Sequence, residues 1–392
     1  LGSRFELSRL LDPIETDAFF TDYWEKAPLL IARNKPSYFN DLLSLDDLDH
    51  ALTTLNLHHP EIGLSNASAD VTLKDYAFPN GRINVDAAFR MFDQGSSIIF
   101  NGLHARQETL GELSRALEST LSHPIQTNIY LTPPSAGAFK AHYDTHDVIV
   151  LQLENEKHWK IYGSPIALPL PGQHFNASAM EIGEPQLEID LKAGDTLYLP
   201  RGYIHEARSV NAISAHITIG ILSRTWVDFL IESIAEASIR EVSLRRSLPI
   251  GFANVGFAAE QMKSDFKGLI AKLTGSLEFD ASFNSLADEF IDSRSPQMRG
   301  HLTELIHLPS ITIDSAVCLR PNLIYKTAQV DGAILIFAHG KECEIPSKAA
   351  EAVRVALSGR TFRIRDLPGA LDDDEKLVII RRLLREGVLQ SA

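Results

Sequence analysis

"LKAGDTLYLPRGYIHEA", residues 191–207, is the stretch on which the fold reading turns. Gly194-Asp195 forms a tight-turn pair, Leu197 to Pro200 reads as a short strand, and Arg201-Gly202 turns the chain again to deliver His205. Reading outward, the chain from Gln126 to Ser223 is a series of short β-type runs broken by Gly, Pro and Asn: "TNIYLT", "DVIVLQL", "HWKIYG", "QLEIDL", "DTLYLP" and "ISAHITIGIL". Short strands this closely spaced predict an antiparallel barrel or jelly roll, and the turn ending in His205 is how a double-stranded β-helix returns its last ligand.

The same region opens on "AHYDTHDVIVLQL", in which His142 and Asp144 stand two positions apart before an apolar run. On a strand, positions i and i+2 face one side. With His205, 63 residues later, the pair offers two neutral nitrogens and one carboxylate, the 2-His-1-carboxylate set that leaves open positions on Fe(II). The competing reading makes Asp144 a solvated partner of His146 or Arg201. His146, His158 and His174 lack comparable context, and Asp147 is a weaker ligand candidate than Asp144. Lys157, at the start of the next strand, has two readings. It brings a cation into the barrel, where a buried ammonium needs an anionic partner such as the distal carboxylate of 2-oxoglutarate, or it lies in an exposed hairpin turn beside Glu154 and Glu156.

Composition narrows the classes. With 392 residues, 44% hydrophobic and 22% charged, the chain is a folded protein of two or three domains. A net charge of -14 argues against general polyanion binding and suits basic protein partners. Two cysteines, Cys318 and Cys343, are too few for a disulfide framework or a Cys-rich zinc site and are expected to be buried thiols in a reducing compartment. No apolar run approaches the roughly 20 residues of a membrane span. A cytoplasmic protein is expected, nuclear or nucleolar in a eukaryote.

Before the strands, "DPIETDAFFTDYWEKAPLLIAR" places Phe19, Phe20, Tyr23 and Trp24 at helical spacing, "SLDDLDHAL" starts at a Ser44 cap, and "QETLGELSRALESTL" is an amphipathic helix. After Ser223 the period becomes helical, with Trp226, Leu230 and Ile234 on one face, followed by "AAEQMKSDFKGLIAKL" and "FNSLADEFI". These faces fit either an oligomer interface or an internal bundle, and homodimerisation is the favoured use. From 306 onward, "GAILIFAHGKECEIP" predicts a hairpin turning at His339-Gly340, and "KAAEAVRVAL" and "DDDEKLVIIRRLLREGVLQ" predict helices in the order of a winged helix. Twelve basic against eleven acidic residues from 311 onward lack the basic stripe of a DNA reader, so a nucleic-acid partner is not expected.

"AHYDTHDVIVLQLENEKHWKIY" and "LKAGDTLYLPRGYIHEA…SAHITIG", with the early "FFTDYWEKAPLLIAR", resemble the JmjC-domain ribosomal oxygenases of the cupin-like superfamily over nearly the whole chain. The resemblance implies an α+β protein. Residues 1–223 would form a JmjC/cupin double-stranded β-helix with a helical N-terminal region, 224–305 a helical dimerisation region, and 306–392 a winged-helix-like domain. It also implies hydroxylation of a ribosomal protein, through a basic loop, with Fe(II), 2-oxoglutarate and O2. His142, Asp144 and His205 match the iron ligands and catalytic centre, and Lys157 matches the residue that holds 2-oxoglutarate. Asn128, Tyr130, Ser214, His216 and Thr218 match positions lining the cosubstrate pocket, although Tyr130 and His216 also read as satisfied core polar residues. The family hydroxylates Arg in bacterial members and His in animal ones, and Lys157 stands where bacterial arginine hydroxylases often have arginine. Two other readings remain: a cupin metal-dependent dioxygenase or isomerase acting on a small molecule, and a non-catalytic JmjC/winged-helix regulator.

Overall fold

The computed structural model describes residues 5–392, and the chain divides into two compact units, 1–223 with 320–323 and 224–319 with 324–392. The first unit contains ten strands: β1 (Leu29–Ile31), β2 (Ile62–Ser65), β3 (Ser97–Asn101), β4 (Ile125–Thr132), β5 (Asp147–Glu154), β6 (Glu156–Ile161), β7 (Leu187–Lys192), β8 (Thr196–Leu199), β9 (His205–Ser209) and β10 (Ser214–Ile221). Seven form a major antiparallel sheet in the order β1-β8-β5-β10-β4-β3-β2, and three form a minor sheet in the order β7-β6-β9. From β5 onward the chain passes back and forth between the two sheets, from β5 to β6 and β7, then to β8, β9 and β10 in turn, as a double-stranded β-helix requires.

β5 explains its own sequence. Val148 and Val150 face the minor sheet and pack with Trp159, Ile161, Ile189, Leu191, Leu197 and Leu199. Ile149 and Leu151 face the other way, into a second core built with Ile217, Ile219, Ile129 and the N-terminal helical residues Leu10, Phe19, Leu113 and Leu117. A strand covered on both faces reads as an unbroken apolar run rather than an alternating one. The N-terminal helix Thr16–Asp22 buries Phe19 while Phe20 stays exposed, and Ser44 with Asp47 makes the capping box that starts Leu45–Thr54.

Two glycines fix turns that no other residue fits. Gly194 (φ +88°) lies so close to Lys35 that a β-carbon would fall 2.0 Å from its carbonyl oxygen, and at Gly202 (φ +92°) one would fall 2.4 Å from that of Ile166. Between them Asp195 accepts from the backbone N–H groups of Lys192 (3.0 Å) and Arg33 (2.8 Å).

The second unit holds the helices Trp226–Arg240, Glu260–Ser276 and Phe279–Asp292, with a Thr225–Asp228 capping box at the first. It also holds the strands β11 (Ala316–Leu319), β12 (Tyr325–Val330), β13 (Ala333–Ala338), β14 (Lys341–Pro346), β15 (Phe362–Arg363) and β16 (Leu389–Ser391). These pair as β12-β13-β14 and β15-β11-β16, with the expected β13–β14 turn at His339-Gly340 and helices Ala350–Ala356 and Asp373–Arg385. Cys343 is buried, whereas Cys318 is only half-buried. Among the described residues no helix is long and apolar enough to cross a membrane.

Candidate metal centre

His142 and Asp144 do not lie on a regular strand. β5 starts only at Asp147, and the pair sits in the segment leading into it. What holds the segment is a single antiparallel bridge to the start of β9: His142 N–H donates to the His205 carbonyl (3.1 Å) and His205 N–H donates to the His142 carbonyl (2.8 Å). The Gly202 N–H donates to the Asp144 carbonyl (3.0 Å), so the turn anticipated in the sequence ties both ligand segments together. Side-chain ligand atoms of His142, Asp144 and His205 consequently all lie within 4.8 Å of one another, the one such group of three or more found among the described residues.

Imidazole chemistry fits a metal here. His142 Nδ1 lies 2.8 Å from the Lys140 carbonyl and His205 Nδ1 lies 3.0 Å from that of Tyr203. Because a carbonyl only accepts, each Nδ1 carries the proton and each Nε2 keeps a free lone pair. Burial, then repulsion from His142, pushes the His205 pKa down to about 4, which keeps the ring neutral as a ligand must be. The Asp144 carboxylate is 3.6 Å from His205 Nε2.

The competing salt bridge goes elsewhere. Arg201 donates to Asp147 Oδ2 and to Glu25 Oε1, each at 2.6 Å. Asp147, fully buried, also accepts from Tyr198 Oη (3.0 Å), Ser223 Oγ (3.2 Å) and Arg201 N–H (3.3 Å). Asp147 is therefore saturated, and Arg201 leaves Asp144 for the metal position.

A cavity runs from the triad into the barrel, lined by Tyr130, Val150, Lys157, Trp159, His216 and Thr218 among others, and with its open mouth it encloses about 480 Å³. Lys157 is 2% exposed, not in a surface turn: its register on β6 sends it inward, where Nζ donates to Thr132 Oγ1 (3.0 Å) and approaches His216 Nδ1 (3.4 Å). With no carboxylate among these neighbours, burial pulls its pKa down to about 7. His216 stays neutral because burial and the Lys157 charge both push its pKa down, and its ring stacks on Tyr130 at 4.9 Å between centroids. Burial and Asp144 push the Tyr130 hydroxyl up, so it remains a neutral phenol.

Two of the anticipated pocket residues stand apart from this lining. Asn128 accepts from Gln126 Nε2 (3.2 Å), and Ser214, fully buried, accepts from Gln152 Nε2 (2.8 Å). Three residues not anticipated belong to the site. Thr132 and Trp159 follow from strand alternation, being two positions beyond Tyr130 and Lys157 respectively. Phe139 lies in an irregular loop, 42% exposed at the cavity mouth and edge-on to Tyr130 and His142, and no periodicity announces it.

A double-stranded β-helix carrying a His-x-Asp…His triad fits a JmjC-type protein, and residues 103–229 match the JmjC domain family. The chain is 30% identical to the bifunctional lysine-specific demethylase and histidyl-hydroxylase NO66 of Aedes aegypti, over 75% of its own length and 49% of the relative's. It is 32% identical to ribosomal oxygenase 1 of Gallus gallus, over 73% and 50%. In architecture it is similar to the Escherichia coli ribosomal oxygenase YcfD, with a TM-score of 0.55 at 16% identity, covering 97% of this chain and 98% of that one. A second YcfD structure, described as a complex with cobalt and 2-oxoglutarate, also has a TM-score of 0.55 at 16% identity, with 96% and 98% coverage. The chain belongs to the JmjC-domain ribosomal oxygenase family and spans about half the length of the curated relatives it matches.

Proposed function

We propose that this protein is an Fe(II)- and 2-oxoglutarate-dependent oxygenase that hydroxylates a side chain, Arg or His, of a ribosomal protein. The observation that carries this reading is the presence, in one cavity, of a neutral-nitrogen and carboxylate triad with an inward-facing lysine that has no carboxylate partner. The names of its relatives support the substrate class.

In this reading His142, Asp144 and His205 hold Fe(II) on one face. When bound, iron with 2-oxoglutarate and O2 supplies the oxidant for a C–H bond, releasing succinate and CO2. Lys157 pairs with the distal carboxylate while Thr132 orients its ammonium. Tyr130, His216 and Thr218 line the path of the diacid, with Asn128 and Ser214 supporting the strands around it. The apolar walls formed by Val148, Val150 and Trp159 exclude water from the reacting end. A small-molecule cupin enzyme that does not use 2-oxoglutarate has no use for Lys157 at this depth, and a non-catalytic regulator has no use for an intact triad.

We propose further that 224–305 forms a homodimerisation region and 306–392 a winged-helix-like domain serving structure or protein contacts rather than nucleic acid. Trp226, Leu230, Ile231 and Ile234 expose a continuous apolar strip on the helix Trp226–Arg240, which supports the first assignment. A net charge of -14 supports a basic substrate loop, and a substrate of that class places the protein in the cytoplasm or nucleolus.

The deciding experiment incubates the chain anaerobically loaded with Fe(II) and 2-oxoglutarate, then admits O2 in the presence of purified ribosomal proteins. Succinate release that requires 2-oxoglutarate, and a ribosomal peptide heavier by one oxygen atom, are expected. Turnover that proceeds without 2-oxoglutarate overturns the proposal.

A further inference from the structure

The loop that leads into the triad does not lie flat against β9. Two isolated bridges, Gly137 with Arg208 and His142 with His205, tie it to that strand. Between the bridges four loop residues, 138–141, stand against two strand residues, 206–207, so the loop arches away from the sheet. The arch is pinned from outside. The Ala138 carbonyl accepts from Ser65 Oγ (2.6 Å) and the Gly137 carbonyl accepts from the Ala67 N–H (2.9 Å).

Phe139 on the arch and Glu206 and Ala207 opposite it line the metal cavity, and the same three residues line a second, larger groove outside it. With its open side this groove encloses about 1010 Å³, and its walls include Asn66, Ser68, Gln94, Ser135, Lys160 and Arg208. Neutral amides and hydroxyls of this kind can donate to and accept from a peptide main chain. Of the charged groups, Lys160 Nζ lies 3.7 Å from Glu188, and Glu206 accepts from Tyr162 Oη (2.7 Å). Arg208 is different. It is exposed, its guanidinium reaches only the Ser135 carbonyl (3.4 Å), and no carboxylate pairs with it.

We infer that this groove holds the substrate polypeptide beside the residue being hydroxylated, whose side chain reaches the triad past Phe139, and that Arg208 selects a carboxylate in that flanking stretch. Two observations carry this: the groove shares its inner edge with the metal cavity, and its one cation without a carboxylate calls for an anion. The inference rests on the proposed function and narrows it. A substrate loop that is basic as a whole carries an acidic residue on one side of its target.

The test uses the full chain loaded with Zn(II) and 2-oxoglutarate, and short fluorescent Gly-Ala peptides with a central Arg or His. Aspartate, then lysine, is placed at each flanking position in turn, and binding is read by fluorescence anisotropy. On one side of the target, aspartate is expected to bind about fivefold tighter than alanine. Arg208→Glu is expected to reverse that preference in favour of lysine at the same position, and Arg208→Lys to retain it, which a merely structural role for Arg208 would not do. Should Arg208→Glu fail to fold, Ser135→Glu, which sets a carboxylate beside Arg208, is expected to cancel the aspartate preference. Peptides that do not bind, an absent preference for aspartate, or one that these variants leave unchanged overturns the inference. The proposed function then still stands if ribosomal proteins drive 2-oxoglutarate-dependent succinate release by the Fe(II) protein, and absence of that release overturns both.

Discussion

At Lys157 an amine lies buried with no carboxylate among its neighbours. Burial holds the amine near a pKa of about 7, against an ordinary 10.5, so in the free protein it is largely neutral above pH 7. Pairing with a carboxylate requires the ammonium, and the facing groups, Thr132, Tyr130 and neutral His216, supply no other charge. Affinity for 2-oxoglutarate should therefore fall about tenfold per pH unit above 7, and binding at pH 8 should take up a proton. Calorimetry in buffers of differing ionisation heat measures that uptake, and Lys157→Met should remove both the binding and its pH dependence. The same shift has a stability consequence. Between pH 7 and 10.5 the unfolded chain holds a proton that the folded one does not, so this group makes the ligand-free protein more stable as pH rises through that window. Burial of Lys157 was legible in the sequence only as one of two alternatives, because alternation along β6 decides the direction and a sequence does not show where β6 begins. At the triad, His142→Ala or Asp144→Ala should abolish stoichiometric Fe(II) binding, measured anaerobically, with little change in far-UV circular dichroism.

Among the elements, the segment from β8 to β9 is held by a close-packed glycine turn and a buried ion pair. Gly202→Ala puts a methyl group against the Ile166 carbonyl in a left-handed backbone and is expected to cost ~2 kcal/mol or more, read as a lower urea midpoint. Asp147→Ala leaves Arg201 buried with only Glu25 and should cost ~3–5 kcal/mol in the same measurement. Both changes should also weaken metal binding, since the Gly202 and His205 backbones position Asp144 and His142. Here the sequence was generous: the turn chemistry of Gly194-Asp195 and Arg201-Gly202 is local, so it can be read locally. The placement of His142 and Asp144 was less so. Period-two alternation put them on a strand, whereas a lone bridge to His205 does the work of one, and a contact between residues so far apart in sequence leaves no periodic trace. β9 itself escaped notice because "HEARS" is polar, with Arg208 exposed and Glu206 accepting from Tyr162 Oη.

For the molecule as a whole, the cavity residues from Tyr130 to Thr218 all belong to the first unit, while the exposed apolar strip belongs to the second. Leu230 and Ile231 are 53% and 60% exposed, and the double substitution Leu230→Glu, Ile231→Glu is expected to convert the proposed dimer to a monomer in sedimentation equilibrium without altering Fe(II) stoichiometry. The helical period of 226–240 was plain in the sequence, but whether that face meets its own chain or another is a question of surface left over after folding, which no residue pattern states. The reciprocal main-chain bridge between His142 and His205 has one further bearing on the protein's life. Peptide groups, which need no ion, set the spacing of the two rings, so removing the metal is expected to leave the backbone here in place and adding it back to restore the site.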